Sequence, residues 1–232
     1  MAQELYTQGK YAARHPSWHA EDAQWKAQKI LAILQRNRLA PKSICEIGCG
    51  AGEVLKQLHD TLDPTVDFVG YEVSRQAFEL CKTRASERLR FHLKDILQDE
   101  EAYFDLILLI DLIEHLEDYF TFLRQIADKS RYKVLHVPLD LSAQSTIRGR
   151  RIIECRESVG HLHYFTKEIV FEILKDVGYE VMDHFYTAWS VERPAKSKKS
   201  LLLRLPRRLF FRAHQDLAVR VMGGYSLMVL AR

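Results

Sequence analysis

Cysteine is scarce in this sequence, with only four among 232 residues and no C-x-x-C pair. This scarcity excludes the usual spacing of a disulfide framework or a zinc ribbon. Long apolar runs are also missing. None approaches the roughly 18 residues of a membrane-spanning helix, and residues 1–18 lack the apolar core of a secretory signal. We therefore expect a cytoplasmic protein in a reducing compartment.

A marked excess of charge of one sign is absent too. The 34 basic and 31 acidic residues leave a net charge of +3, which by itself does not point to a nucleic-acid partner. Hydrophobic residues make up 47% of the chain and charged residues 28%, as in an ordinary globular protein with a buried core. The length favours a single domain over residues 1–232.

From residue 43 onward, short apolar runs alternate with helical patterns. The apolar runs predict five strands, in the segments SICEIGC, DFVGYEV, LRFHLKDI, FDLILLID and YKVLHVPL. Helical spacing is present at 51–60, 75–86, 116–129 and 166–177. This alternation predicts a parallel sheet with right-handed crossovers, helices on both faces, and a ligand crevice at the carboxyl ends of the strands.

Two flanking regions complete the predicted domain. Residues 1–40 form a helical cap before a core at 43–191, and residues 225–232 form the last strand. Between core and last strand, 192–224 is a basic helical insertion, in which Pro206 is expected to break a continuous helix.

The segment SICEIGCGAGE carries the most informative motif. Gly48, Gly50 and Gly52 form G-x-G-x-G between a buried strand and a helix. Glycines let the backbone turn sharply and approach a ligand, and the helix that follows offers unpaired N–H groups. The dinucleotide fingerprint would require a third glycine at the position of Glu53, whose charge opposes a pyrophosphate. The motif therefore favours a nucleotide-like ligand without phosphates.

The sequence EIGCGAG resembles motif I of the class I S-adenosylmethionine-dependent methyltransferases. Two later segments, DLIEH at 111–115 and HLHYFT at 161–166, resemble those of the small-molecule and quinone-biosynthesis members. The resemblance implies an α/β fold with a Rossmann-like, seven-stranded, mostly parallel sheet, an antiparallel last strand, helices on both faces and a helical insertion before that strand. It also implies S-adenosyl-L-methionine as the cofactor.

The same resemblance implies cofactor contacts at the ends of successive strands. Glu46 is expected near the amino-acid end of the cofactor, Glu72 at the ribose hydroxyls, and Asp95 with Ile96 at the adenine. Asp111 is expected near the methionine end. The full set of expected cofactor residues is Glu46, Gly48, Cys49, Gly50, Gly52, Glu72, Val73, Asp95, Ile96, Asp111 and Leu112.

His115, His161 and His163 are the candidate catalytic residues. Each follows the carboxyl end of a predicted strand, and histidine titrates near neutral pH, which suits a base that takes a hydroxyl proton. The spacing of His161 and His163, taken with Glu114 or Asp111 as a further ligand, is not a recognised zinc set, so we expect no metal. We expect methyl transfer to oxygen, with nitrogen or carbon as alternatives, on a small or lipophilic acceptor beside a solvated loop at 139–160.

The insertion is locally basic, with eight cationic residues and no acidic one from Arg193 to Arg212. They are Arg193, Lys196, Lys198, Lys199, Arg204, Arg207, Arg208 and Arg212. A packing helix with a solvated face, peripheral contact of 193–212 with an anionic membrane, and contact with RNA phosphates remain open. Three other functions also remain: an RNA methyltransferase, a nicotinamide-dependent oxidoreductase, and a non-catalytic cofactor-binding member of the fold.

Overall fold

In the computed structural model, the described residues are Tyr11, 14–18, 20–192 and 198–232. Seven strands form one sheet: β1 (Ser43–Ile47), β2 (Asp67–Glu72), β3 (Leu89–Leu93), β4 (Phe104–Ile110), β5 (Ser130–Pro138), β6 (Val181–Thr187) and β7 (Ser226–Ala231). Their order is β3-β2-β1-β4-β5-β7-β6, and β7 alone runs antiparallel to its neighbours. The predicted Rossmann-like, mostly parallel sheet with an antiparallel last strand is confirmed.

The strand order places a crevice at the centre of the sheet. The chain moves outward from β1 through β2 to β3, then returns to pair β4 with the other side of β1. Because the crossovers leave in opposite directions, the carboxyl ends of β1 and β4 are not covered by a connecting helix. This edge of the sheet is where a ligand pocket is expected in such a fold.

Helices cover both faces of the sheet, as predicted. They are α1 (Ala23–Arg36), α2 (Glu53–His59), α3 (Arg75–Lys82), α4 (Tyr119–Gln125), α5 (Ala143–Arg148), α6 (Arg150–Ser158), α7 (Lys167–Asp176), α8 (Trp189–Glu192), α9 (Lys198–Ala213) and α10 (Gln215–Met222). Ile30 of α1 and Leu55 of α2 pack in one apolar core, and Leu123 of α4 and Ile173 of α7 pack in the other. Burial on both faces explains why the central strands are almost continuously apolar.

The segment after β5 differs from the solvated loop that we expected. It contains two helices, α5 and α6. Ser142 caps α5, because its Oγ accepts a hydrogen bond from the Ser145 backbone N–H while the Ser145 Oγ accepts one from the N–H of Ser142. This reciprocal capping box satisfies two N–H groups at the helix start and stabilises a helix that apolar periodicity alone did not reveal.

The expected break at Pro206 is wrong, because α9 continues through it to Ala213. Two guanidinium groups hold the helix in place. The Arg204 Nε donates to the Val191 carbonyl oxygen at 2.8 Å, and the Arg207 Nη2 donates to the Met222 carbonyl oxygen at 2.7 Å. These tertiary contacts offset the backbone hydrogen bond that proline removes. None of the described helices is long and apolar enough to cross a membrane.

Some predictions fall outside the described residues. They concern residues 1–10, 12–13 and 19 of the predicted cap, and Arg193 and Lys196 of the basic insertion. The division of the chain into cap, core, insertion and last strand stays a prediction.

Candidate active site

A cavity of about 700 Å³ lies at the carboxyl ends of the central strands. This volume is in the range of small-molecule sites. Of the fourteen residues that the sequence singled out, the cavity wall includes Glu46, Gly48, Cys49, Gly50, Glu72, Val73, Asp95, Ile96, Asp111, Leu112, His115 and His161, whereas Gly52 and His163 lie outside it.

The glycine-rich turn needs its glycines for two different reasons. Gly48, Gly50 and Gly52 all have left-handed φ angles, of +69°, +55° and +75°. A Cβ at Gly48 would lie 2.8 Å from Leu112 Cδ1, and one at Gly52 would lie 2.6 Å from the Phe91 ring. At Gly50, the nearest atoms would be 3.9 Å away. Packing therefore excludes a side chain at Gly52, whereas one at Gly48 would displace the end of the Leu112 side chain and one at Gly50 would make only ordinary van der Waals contact with Trp18.

Glu72 supports this turn from the end of β2. Its Oε2 accepts a hydrogen bond from the Gly50 N–H at 2.8 Å, and its Oε1 accepts from the N–H groups of Val73 and Ser74. Burial raises the pKa of Glu72, while these three backbone hydrogen bonds oppose the shift. The carboxylate thus connects the ends of β1 and β2 before any ligand binds.

Glu46, in β1, is buried in the cavity wall with only 3% of its surface exposed. No donor among the described residues reaches its Oε2. Burial raises the pKa of Glu46 to about 8, although the charge of Lys26 opposes the shift. A buried carboxyl oxygen without a partner is costly, so this group is suited to a ligand that brings a cationic donor.

Asp111 follows β4 in a left-handed conformation, with a φ of +51°, which is uncommon for a residue with a side chain. Its Oδ1 accepts a hydrogen bond from His136 Nδ1 at 2.5 Å, and its Oδ2 lies 2.8 Å from Lys26 Nζ. Burial opposes ionisation, but Lys26 and His136 outweigh it and hold the pKa of Asp111 far below its usual range. The carboxylate is therefore fixed as an anion by α1 and β5.

Asp95 and Ile96 line the cavity after β3. The Asp95 Oδ1 accepts a hydrogen bond from the Leu97 N–H at 2.9 Å, which caps a short 3₁₀ turn, and Ile96 is fully buried. This cap holds the backbone of the turn in place beside the cavity.

Glu114 is a second buried carboxyl group in the cavity wall, in the 3₁₀ turn Ile113–His115. It has no exposed surface, and neither of its oxygens has a hydrogen-bond donor among the described residues. Burial and the nearby charge of Asp111 raise the pKa of Glu114 well above its ordinary value.

His115 and His161 lie together near Glu114. Their ring centroids are 5.0 Å apart. His161 Nδ1 is 2.6 Å from Asp140 Oδ2, and His115 Nδ1 is 3.2 Å from the Gly160 carbonyl oxygen. Burial, and then the charge of His161, lower the pKa of His115 to about 4. His161 with Asp140 therefore has the arrangement of a base that a carboxylate orients.

His163 lies away from this group. Its Nε2 is 2.8 Å from the Leu116 carbonyl oxygen, and its ring packs edge-on against Tyr119. Side chains two residues apart on a regular strand point to the same face, so the different partners of His161 and His163 show that this segment, which belongs to no strand, does not keep that alternation.

Two segments that are distant in sequence cover the cavity. Tyr11 and Trp18 line it from the amino-terminal side, while Cys155 and Ser158 line it from α6. The segments also contact each other, because His15 Nε2 is 2.9 Å from the Ser158 carbonyl oxygen. We call residues 14–18, Tyr11 and α6 the roof.

Sequence reasoning missed several cavity residues: Lys26, Glu114, His136 and Asp140. Lys26 had a signal, because it is a lone cation within the apolar stripe of α1 that includes Ala23, Ala27 and Ile30. Glu114 lies within the DLIEH segment, but only its burial distinguishes it from a solvated charge. His136 lies within an apolar strand, where the sequence has no feature that marks it.

The sequence model of a protein family described as Methyltransferase domain matches residues 18–184. No curated protein matches the sequence significantly.

Several solved structures share the fold. Magnesium protoporphyrin IX methyltransferase from Synechocystis PCC 6803, solved with S-adenosylhomocysteine, has 14% identity and a TM-score of 0.56, over 90% of this chain and 81% of that one. A SAM-dependent methyltransferase from Archaeoglobus fulgidus has 17% identity and a TM-score of 0.57, over 88% and 93%. The plantazolicin methyltransferase BpumL, solved with S-adenosylhomocysteine, has 15% identity and a TM-score of 0.59, over 100% and 93%.

Proposed function

The chain belongs to the methyltransferase domain family and is an S-adenosylmethionine-dependent methyltransferase, and on this premise we propose that it methylates an oxygen atom of a small or lipophilic acceptor. The observation that carries the proposal is the Asp140–His161 pair, 2.6 Å apart in the wall of the cavity. Such a pair is suited to accept the proton of a hydroxyl group.

The residues present fit the amino-acid end of the cofactor. Glu46 presents a buried carboxyl oxygen without a donor among the described side chains, and the cofactor's ammonium group is a cationic donor. An ion pair formed there would satisfy the orphaned oxygen. Gly50 leaves space for the cofactor chain to pass close to the backbone.

The adenosine end fits Glu72 and Asp95. Oε1 of Glu72 accepts two backbone N–H groups, but Oε2 accepts only that of Gly50, so one lone pair on Oε2 is available to a ribose hydroxyl. We assign Asp95 and the backbone of Ile96 to the adenine edge because both line the cavity beyond Glu72 in the sheet.

When bound, S-adenosylmethionine supplies a sulfonium methyl group, and its transfer forms the acceptor's O–C bond as the C–S bond breaks, with the electron pair left on sulfur. The protein holds the acceptor against His115 and His161, which together with Asp140 remove the hydroxyl proton. The roof excludes water from the reacting groups, as methyl transfer requires.

An exposed face of α9 and α10 supports a lipophilic acceptor. Leu205 and Leu209 are 64% and 59% exposed, and Arg208 and Arg212 lie beside them at helical spacing. We assign this face to peripheral contact with an anionic membrane surface, because it combines apolar and cationic side chains. The observations give less support to RNA, since Arg207 is bonded to backbone carbonyls.

The test is a methyl-transfer assay with isotopically labelled cofactor and a panel of phenols, lipophilic alcohols, amines and carbon acids, with the methylated atom identified by NMR. We expect methyl ethers and a roughly 100-fold lower kcat for His161→Asn, with S-adenosylhomocysteine binding unchanged. His184→Asn is the matched control, because His184 is exposed on β6 at the sheet edge. Product methylated on nitrogen or carbon, or equal rates in both variants, would contradict the proposal.

A further inference from the structure

Three potential metal ligands meet in the cavity wall. The ligand atoms of Glu114, His115 and His161 all lie within 4.8 Å of one another. They reach the site from two places, the 3₁₀ turn after β4 and the extended segment before α7. A second group of Asp140, Cys155 and His161 meets the same distance limit and shares His161.

The two imidazoles are oriented as metal-binding histidines usually are. The Gly160 carbonyl oxygen can only accept a hydrogen bond, so His115 Nδ1 carries the proton and the lone pair is on Nε2. That Nε2 lies 3.9 Å from Glu114 Oε1. Asp140 orients His161 in the same manner through Nδ1. A histidine whose other nitrogen donates to a carboxylate or carbonyl is a characteristic ligand arrangement.

Glu114 gives an independent reason to expect a cation. It has no exposed surface, and no described residue donates a hydrogen bond to either oxygen. The nearby cation Lys26 does not serve this purpose, because its ammonium group is 2.8 Å from Asp111. Glu114 is thus a fully buried carboxyl group in the cavity wall that lacks a hydrogen-bond donor among the described residues. A coordinated metal ion would satisfy such a group.

We propose that Glu114, His115 and His161 bind one divalent first-row transition metal ion, with an open position for the acceptor oxygen. Two nitrogens and one carboxylate suit Zn²⁺ or Mn²⁺ better than Mg²⁺ or Ca²⁺, which prefer oxygen ligands. Three protein ligands with an open position are typical of catalytic zinc. Ligand atoms around tetrahedral zinc are about 3.4 Å apart, so the 3.9 Å between Glu114 and His115, and the limit of 4.8 Å for all three ligands, require side-chain rotations that bring them closer.

The first group is preferred over the second because of its unsatisfied member. The Asp140 carboxylate already has His161 as a partner, whereas the carboxyl oxygens of Glu114 have no hydrogen-bond donor within the described part of the chain. We expected no metal because the spacing of His161 and His163, taken with Glu114 or Asp111, is not a recognised zinc set. Since the ligands come from segments far apart in the chain, local spacing did not reveal the site.

This inference rests on the proposed function and specifies how the acceptor is activated. A hydroxyl oxygen in the open position would have its pKa lowered by the ion, and its proton would pass to water. Without the ion, His161 Nε2 would itself be the base. Metal binding to the protein separates these two possibilities.

The experiment titrates EDTA-treated, dialysed full-length protein with ZnCl₂ and MnCl₂ in a calorimeter, with MgCl₂ as the comparison. We expect about one equivalent of Zn²⁺ or Mn²⁺ per chain and at least 10-fold weaker binding to Glu114→Gln, with no change in His184→Asn. His161→Asn provides a second test if Glu114→Gln does not fold, as judged by its melting curve.

No saturable binding, or equal affinity in wild type and the two ligand variants, would overturn the proposal. Binding that is lost in Cys155→Ser but kept in Glu114→Gln would also overturn it, by assigning the ion to the second group. The proposed function fails separately, because it is judged by the methylated atom of the product, and S-adenosylhomocysteine binding can be measured in EDTA.

Discussion

The two ends of the cavity are built in different ways. At the cofactor end, backbone groups are prominent: three left-handed glycines, and Glu72 satisfied by three N–H groups. At the acceptor end, side chains from distant segments meet, and Glu114 stays unsatisfied in a buried position. The backbone-built end resembles a general cradle, whereas the end built from side chains is the one to which we assign the selection and activation of the acceptor.

The two ends are therefore expected to respond differently to substitution. A turn made of glycines depends on φ angles that other residues adopt only at a cost, so single substitutions act on its shape. The acceptor end depends on the chemistry of individual side chains. Substitutions at the acceptor end are therefore expected to change turnover more than cofactor affinity.

The largest effect is expected for Gly50→Val. Valine opposes the φ of +55° and adds a branched side chain in the cofactor cradle, so we expect loss of measurable S-adenosylhomocysteine binding. Gly149→Val is the matched control, because Gly149 also has a φ of +55° and a Cβ there would meet nothing within 4 Å. Calorimetry measures S-adenosylhomocysteine binding to both variants. If Gly149→Val lost binding as completely as Gly50→Val, the assignment of the cofactor to the turn at Gly50 would be contradicted.

An intermediate effect is expected for Glu46→Gln. Loss of the carboxylate should weaken S-adenosylhomocysteine binding by roughly 10-fold, since a charge-assisted hydrogen bond is lost. The same change should alter the pH dependence of stability without ligand. Burial raises the pKa of Glu46 from 4.5 to about 8 in the folded protein. The contribution of Glu46 to the stability of the folded protein is therefore fully present below about pH 4.5 and is lost as the pH rises through 8.

Melting curves between pH 5 and 9 measure this contribution. We expect the melting temperature of the wild type to fall relative to that of Glu46→Gln by at least about 2 °C over that range. Glu79→Gln is the control, because Glu79 is exposed and paired with Lys82 on α3. If the melting temperatures of wild type and Glu46→Gln changed in parallel with pH, burial would not raise the pKa of Glu46 as described.

The smallest effect is expected for the double variant Arg208→Glu/Arg212→Glu. Reversal of these charges should reduce binding to anionic vesicles several-fold and raise KM for a lipophilic acceptor, because α9 packs against α10, α10 against α5, and α5 against α6 of the roof. S-adenosylhomocysteine affinity should stay unchanged. The control is Arg90→Glu/Arg131→Glu, which changes the charge equally at exposed strand positions. Equal vesicle binding by the two double variants would remove the membrane assignment.

The sequence predicted the fold and the glycine-rich turn well because both depend on local signals. Alternating apolar runs indicated the five parallel strands, and G-x-G-x-G indicated the turn at Gly48, Gly50 and Gly52. The acceptor end was predicted less completely. Glu114 and Asp140 acquire their positions only when β4, β5 and the segment before α7 come together, and α5 was missed because its start is stabilised by two serines.

The roof has a consequence for how the protein exchanges its ligands. Tyr11 and Trp18 approach the cavity from one side and α6 from the other, and His15 joins the two segments through the Ser158 carbonyl oxygen. We therefore expect used cofactor and methylated product to leave beneath the same cover. Exchange of one ligand would then be kinetically linked to exchange of the other, and the frequency with which the roof opens would set an upper limit on the number of turnovers per second.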